Sequence, residues 1–263
     1  MNIFDDPYGF PPPPDANDTS CSLDPQHPSY PVVLVNGTFN LMYDNWKVLS
    51  PKLRAAGYCV FAFNYGGGTG LLGRGRGLGP VANSALELQA FVNKVMDFTG
   101  AAKVDIVGHS QGGMMPRYYV KKLDGLNKVN HLIGLAPANH GTKNPLVGPA
   151  SFFCDSCADM TSGSDFLDDL NAGNETPVTP TGPYYTVITT KLDEILIPYD
   201  SAMLKNGPSA YVTNIVLQDK CPLDVIDHHF IANDPIVARW VLHTLGRRGK
   251  PADPNFKPSC LPF

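Results

Sequence analysis

The sequence predicts an α/β fold in which a mostly parallel sheet carries helices on both faces. Three observations lead there. Short apolar runs alternate with stretches of helical spacing along the chain, the pattern of strands joined by crossover helices. The glycine turn Gly108-His109-Ser110-Gln111-Gly112 lies between one such strand and one such helix. A length of 263 residues, 43% of them hydrophobic, is enough to bury one large core.

Residues 1–29 read as an extended Pro-rich arm, with four consecutive prolines at 11–14. Residues 30–263 read as a single domain. Val32–Val35 is a buried strand, and Trp46, Leu49 and Leu53 place a helix over 44–56. A second strand covers 58–63. Leu88, Phe91, Val92 and Val95 make a helix of 83–98, stopped by Gly100. A strand at 104–107 feeds the glycine turn, and a helix follows over 112–123. Further strands are expected at 129–135, 184–189 and 212–217, with an amphipathic helix at 236–245 closing the chain. Residues 139–183 show no clear period and read as an excursion over the core.

Charge and composition exclude several functions. A net charge of −4 gives no basic footprint for nucleic acid or an anionic membrane. No apolar run reaches the roughly 18 residues that span a bilayer. The apolar content is too high for a disordered chain. Six cysteines, an even count in a Pro- and Gly-rich chain, suit three disulfides in an oxidising compartment. The first ten residues carry no basic or apolar leader pattern, so a secreted chain is expected here without its signal peptide.

G-x-S-x-G after a strand and at the head of a helix is a nucleophile elbow. The turn is so tight that a Cβ at either flanking glycine would collide with the neighbouring chain. It leaves Ser110 strained, its hydroxyl above the sheet at the positive end of a helix. A serine nucleophile needs a base and an acid, in the chain order Ser, acid, His. That order sets aside His27, His109, His131 and His140. His243 lies mid-helix, which leaves His228 and His229 in the loop before the last helix. Asp193, just past the strand at 184–189, fits the acid; Asp200, Asp219 and Asp224 are weaker candidates. Asp227, adjacent to His228, is poorly placed to orient its ring. An oxyanion hole needs two backbone N–H donors. Gln111 supplies one, and the loop Asn36-Gly37-Thr38-Phe39 supplies the other at Thr38, whose hydroxyl offers a third donor.

These residues resemble the lipases grouped around Candida antarctica lipase B and the secreted actinobacterial class 2 lipases. The matching stretches are Pro31-Val-Val-Leu-Val-Asn-Gly-Thr38, Gly57-Tyr-Cys-Val60, the elbow with Gln111-Gly112-Gly113, Leu192-Asp-Glu-Ile195, and Cys221-Pro-Leu-Asp-Val-Ile-Asp-His228. They run from about residue 21 to 260. The resemblance implies an α/β-hydrolase fold and a carboxylic ester hydrolase, lipase-like, needing no cofactor or metal. It puts the acid on Asp193, the base on His228 rather than His229, and the oxyanion donors on Thr38 and Gln111. It also implies the pairs Cys21–Cys59 and Cys221–Cys260, leaving Cys154 to Cys157. The same triad would serve a polyester, thioester or amide, and an inert triad would leave a binding module. The expected partner is a small or lipid ester, with contact at a lipid–water interface, and the enzyme is expected to be secreted and monomeric. Asn36 departs from the family, which carries His or Pro there, and residues 66–79 are unusually glycine-rich.

Three short patterns compete for other functions. Gly68-Thr-Gly70-Leu-Leu-Gly73 matches a dinucleotide fingerprint, but no helix starts within the glycines and no acidic residue ends a following strand. It reads instead as a loop near the site mouth, with Leu71 and Leu72 offering apolar contact to substrate. Cys154-x-x-Cys157 lacks the second pair of a zinc site and reads as a local disulfide. Asn17, Asn36 and Asn174 open glycosylation sequons, and a glycan on Asn36 would obstruct the oxyanion loop.

Overall fold

The computed structural model describes residues 2–24, 29–67, 76–145, 147–205 and 207–261. Its centre is a six-stranded sheet: β1 (Val32–Val35), β2 (Val60–Phe63), β3 (Val104–His109), β4 (Val129–Leu135), β5 (Tyr184–Thr189) and β6 (Val212–Val216). Every pairing is parallel, in the order β2-β1-β3-β4-β5-β6. β1 through β5 are buried along their whole length. That is why β1 reads as an unbroken Val/Leu run and the others as mainly apolar segments without strict polar–apolar alternation.

The chain leaves β1 toward one edge and returns from β2 to place β3 on the other side. β1 and β3 therefore flank the point where the winding reverses, and ligands bind beyond the strand ends at such a point. Right-handed crossovers put α1 (Met42–Trp46) and α2 (Leu49–Ala55) on one face. They put α3 (Val81–Thr99) and α4 (Gln111–Lys122), which pack together, on the other. The closing helix α9 (Pro235–Leu245) packs with α2. Asp234 caps α9, its carboxylate accepting the N–H groups of Ile236 and Val237 at 2.6 and 2.8 Å.

Two expectations differ in detail. The helix expected over 44–56 is two helices, α1 and α2. Pro51 has no N–H to continue the ladder back to Lys47, so the first helix ends and a new one starts around it. The excursion at 139–183 holds three short helices, α5 (Val147–Ala150), α6 (Asp155–Asp159) and α7 (Asp165–Asn171). None is long enough to show a period. A fourth short helix, α8 (Leu217–Lys220), follows β6.

The N-terminal arm has no helix or strand among its described residues, yet it is packed. Phe4 is buried against Phe61, Phe91 and Phe98, with ring centroids 4.7, 5.9 and 5.3 Å away. Asn17 exchanges hydrogen bonds with the β2 backbone: its side chain donates to Ala62 O at 2.9 Å and accepts from Ala62 N at 2.8 Å. The arm thus covers an edge strand that would otherwise present unpaired backbone groups. Disulfides join Cys21 to Cys59, Cys154 to Cys157 and Cys221 to Cys260. The first fastens the arm beside β2.

Candidate active site

β3 ends at His109, and α4 begins at Gln111. Between them Ser110 has φ 54° and ψ −120°, a conformation that side-chain-bearing residues rarely adopt. Its N–H donates to Leu135 O at 2.9 Å, which pins the turn to β4. The flanking glycines are required by space. A Cβ on Gly108 would sit 1.8 Å from the Gly112 carbonyl oxygen, and one on Gly112 would sit 2.2 Å from that of Val35.

Ser110 Oγ lies 3.0 Å from His228 Nε2, and His228 Nδ1 lies 2.8 Å from Asp193 Oδ2. All three side chains are buried. Asp193 sits in the turn after β5, where its other oxygen accepts the N–H groups of Ile195 and Leu196 at 3.0 and 2.6 Å. The carboxylate is thereby held with Oδ2 toward the imidazole. His229 points elsewhere: it is exposed, its Nε2 3.8 Å from Glu194. The other acids are engaged elsewhere than at the His228 ring. Asp219 pairs with Lys191, Asp224 accepts from Ile226 N, and Asp227 accepts from Phe230 N. Asp200 sits in a short 3-10 turn. Among the other histidines, His243 stacks on Phe256, and His140 contacts Glu175.

Thr38 and Gln111 meet across the elbow, the Thr38 hydroxyl donating to Gln111 Oε1 at 2.7 Å. The backbone N–H groups of both lack a protein acceptor among the described residues. The loop that carries Thr38 is fixed on every side. Gly37 N–H donates to Asn45 Oδ1, Phe39 N–H to Arg76 O, and the Tyr65 hydroxyl to Asn36 O. Asn36 is fully buried, its amide donating to Asn40 O at 2.6 Å, so it closes its own loop. Asn17 is also buried, which leaves Asn174 as the exposed sequon asparagine.

A cleft of about 870 Å³, open mouth included, rises above Thr38, Ser110 and His228. One wall is Val147, Ala150, Cys157 and Met160; Ile195, Leu196 and Phe39 add to the lining. Cys154 and Cys157 are bonded to each other, so the pair stiffens this wall and offers no thiolate to a metal. The loop with the glycine fingerprint at 68–73, including Leu71 and Leu72, lies outside the described residues.

Sequence reasoning missed four contributors. Thr142 and Asn144 line the cleft from the aperiodic segment. Asn45, on α1, reaches the oxyanion loop and His109. His109 itself is buried, and burial, reinforced by the adjacent His228, pushes its imidazole down to about 3, so the ring is neutral.

A six-stranded parallel sheet with a strained serine at the strand–helix elbow is an α/β-hydrolase fold. The structure of Aspergillus fumigatus lipase B shares it at a TM-score of 0.73 and 21% identity, over 86% of this chain and 54% of that one. So does Paleococcus ferrophilus monoacylglycerol lipase, at a TM-score of 0.58 and 17% identity over 84% and 96% of the two chains. The chain belongs to the class 2 lipase family, whose model matches residues 29–241. Triacylglycerol lipases of Pseudarthrobacter phenanthrenivorans and Burkholderia plantarii are each 36% identical over 97 residues, 34% of this chain. That stretch spans 27% and 24% of those two proteins, about a quarter of their length.

Proposed function

We propose that the chain hydrolyses carboxylic esters of lipid type through an acyl-enzyme on Ser110, with His228 as base and Asp193 as acid. The observation that carries this reading is the continuous chain Asp193–His228–Ser110, with contacts of 2.8 and 3.0 Å, opening into an apolar cleft. His228 Nε2 takes the hydroxyl proton as Ser110 Oγ attacks the ester carbonyl. Asp193 holds the Nδ1–H tautomer and stabilises the imidazolium. The free N–H groups of Thr38 and Gln111 receive the developing oxyanion, and the N-terminus of α4 adds its positive end. His228 then protonates the departing alcohol. Water, activated by the same imidazole, releases the acid.

The rim supports a lipid substrate. Exposed apolar side chains adjoin cleft residues in sequence: Phe39 follows Thr38, Ile197 follows Leu196, Phe230 follows His229, and Phe152 and Phe153 lie just past Ala150. Exposed apolar side chains next to the cleft segments suit a poorly soluble ester or its interface with water. Three disulfides suit work in an oxidising, extracellular setting. Residues 30–263 would act as one catalytic domain, with residues 1–29 as its arm.

The test uses p-nitrophenyl esters of increasing chain length, soluble and emulsified, with a fluorophosphonate probe alongside. Wild type should hydrolyse the esters and be labelled, and its rate should jump once the ester exceeds its solubility. Ser110→Ala should lose labelling and at least about 10³-fold in kcat. Equal hydrolysis by Ser110→Ala would sink the mechanism. Saturation with no jump would restrict the enzyme to soluble esters.

A further inference from the structure

The residue before the nucleophile has no part in the proton transfer just described, yet it touches two loops of the site. His109 is 1% exposed and lies between two acceptors. Its Nε2 is 2.8 Å from the backbone oxygen of His228, and its Nδ1 is 3.1 Å from Asn45 Oδ1. We propose that His109 is a positioning residue for the base: its Nε2–H holds the His228 carbonyl, so that one buried side chain sets the spacing between nucleophile and base. The inference rests on the reading of Ser110 and His228 as nucleophile and base.

The ring is neutral, so it has one N–H to give. The His228 carbonyl has no other donor among the described residues. Asn45 Oδ1 already accepts the Gly37 N–H at 2.9 Å. The shorter contact and the unmet acceptor both assign the proton to Nε2. At the other end of the same residue, the His228 N–H donates to Glu194 Oε2 at 3.1 Å, but Glu194 is exposed. The buried His109 bond is therefore the stiffer of the two restraints on the base backbone.

The lever is short. His109 and Ser110 are consecutive at the end of β3, so a bond from one to His228 fixes where the other finds its proton acceptor. Through Asn45 the same ring abuts the residue that precedes Thr38. Nucleophile turn, base loop and oxyanion loop thus meet at one imidazole. A displacement of the base by about 1 Å is enough to cost on the order of 10²-fold in rate.

Glutamine and methionine have similar size and reach, and only glutamine can donate. His109→Gln and His109→Met are therefore compared with wild type on one soluble p-nitrophenyl ester, with thermal unfolding of each. Expected are a kcat for His109→Gln at least about tenfold above that of His109→Met, KM values within about twofold, and similar Tm values. Three results overturn the proposal: equal kcat in the two variants, a difference confined to KM, or a His109→Met that loses activity only as it loses its fold. The last would make the bond a structural one. A wild type that hydrolyses no ester and takes up no fluorophosphonate would remove the hydrolase reading, and this proposal with it. An active wild type with matched variants removes the proposal alone.

Discussion

Asp193→Asn tests whether the carboxylate acts by fixing a tautomer or merely by filling space. The structure decides how the amide must sit. Oδ1 of Asp193 accepts two backbone N–H groups, from Ile195 and Leu196, so only an oxygen is tolerated there. The NH₂ of the variant must then take the place of Oδ2, 2.8 Å from His228 Nδ1. Two donors cannot face each other, so the imidazole must carry its proton on Nε2, against Ser110 Oγ. A base protonated on the working nitrogen cannot accept the hydroxyl proton. In a Ser-His-Asp site this mistake costs about 10⁴ in kcat, equivalent to about 5.4 kcal/mol at 1.36 kcal/mol per factor of ten. The oxyanion donors and the cleft are untouched, so KM should stay within about threefold. Stopped or steady-state hydrolysis of a p-nitrophenyl ester measures both, and circular dichroism checks the fold. A folded Asp193→Asn enzyme within tenfold of wild-type kcat would refute the tautomer argument.

Other consequences are simpler. Gly112→Ala places a Cβ 2.2 Å from the Val35 carbonyl oxygen and 2.5 Å from that of Asn36, both backbone atoms. It should cost about 3 kcal/mol or more and lower Tm by roughly 6–12 °C, with kcat falling because the oxyanion loop must shift. Phe4→Ala removes one ring from the cluster with Phe61, Phe91 and Phe98 and should cost about 3 kcal/mol by thermal unfolding. Because Phe4 is outside the cleft, kcat at 25 °C should be unchanged. Burial raises the carboxyl of Asp105 to about 7, although Asn130 and the His131 N–H donate to it and Lys103 and Arg248 lie near. A raised acid favours the protonated fold, so this contribution is full below about pH 4 and is lost as pH climbs toward 7. Buried His131, held down to about 4, works in the opposite direction, its contribution being lost as pH falls from 6.5 toward 4. Asp105→Asn keeps an acceptor for both donors. It should raise Tm at pH 8 relative to wild type and leave a stability that only rises between pH 4 and 7. An unchanged Tm at pH 8 would show that the carboxyl is not strained by burial.

What the sequence made legible follows from how locally each feature is specified. All six strands were readable within a residue or two because burial concentrates apolar residues in short runs, most fully in Val32–Val35. The elbow was readable because two backbones approach closer than any side chain permits, and glycine alone answers that demand. Asp193 and His228 follow from chain order, strand ends and family resemblance, and the structure brings both to Ser110. The cleft wall was not legible. Its residues come from helices of four and five residues, α5 and α6, too short for a hydrophobic period. The role of His109 was hidden for another reason. In the motif it occupies the variable position, and the partner it touches lies 119 residues away. No local pattern encodes that contact.

The interlock of the three loops also bears on the strain at Ser110. A non-glycine residue at φ 54° and ψ −120° costs about 1–3 kcal/mol and persists only if its surroundings leave no relaxed alternative. Relaxation would require the Ser110 N–H to leave Leu135 O, or α4 to withdraw from β1, where Gly112 already lies against the Val35 and Asn36 carbonyls. Either movement would also carry His109 off the His228 carbonyl. The contacts that hold the strained turn are therefore those that hold the base and the oxyanion loop in place. Because β1 and β3 are neighbours paired in register through Val35 and Gly108, their ends bring the two turns together without any long connection. The reversal of winding between these strands thus determines where a hydroxyl can stand exposed while its neighbours stay buried.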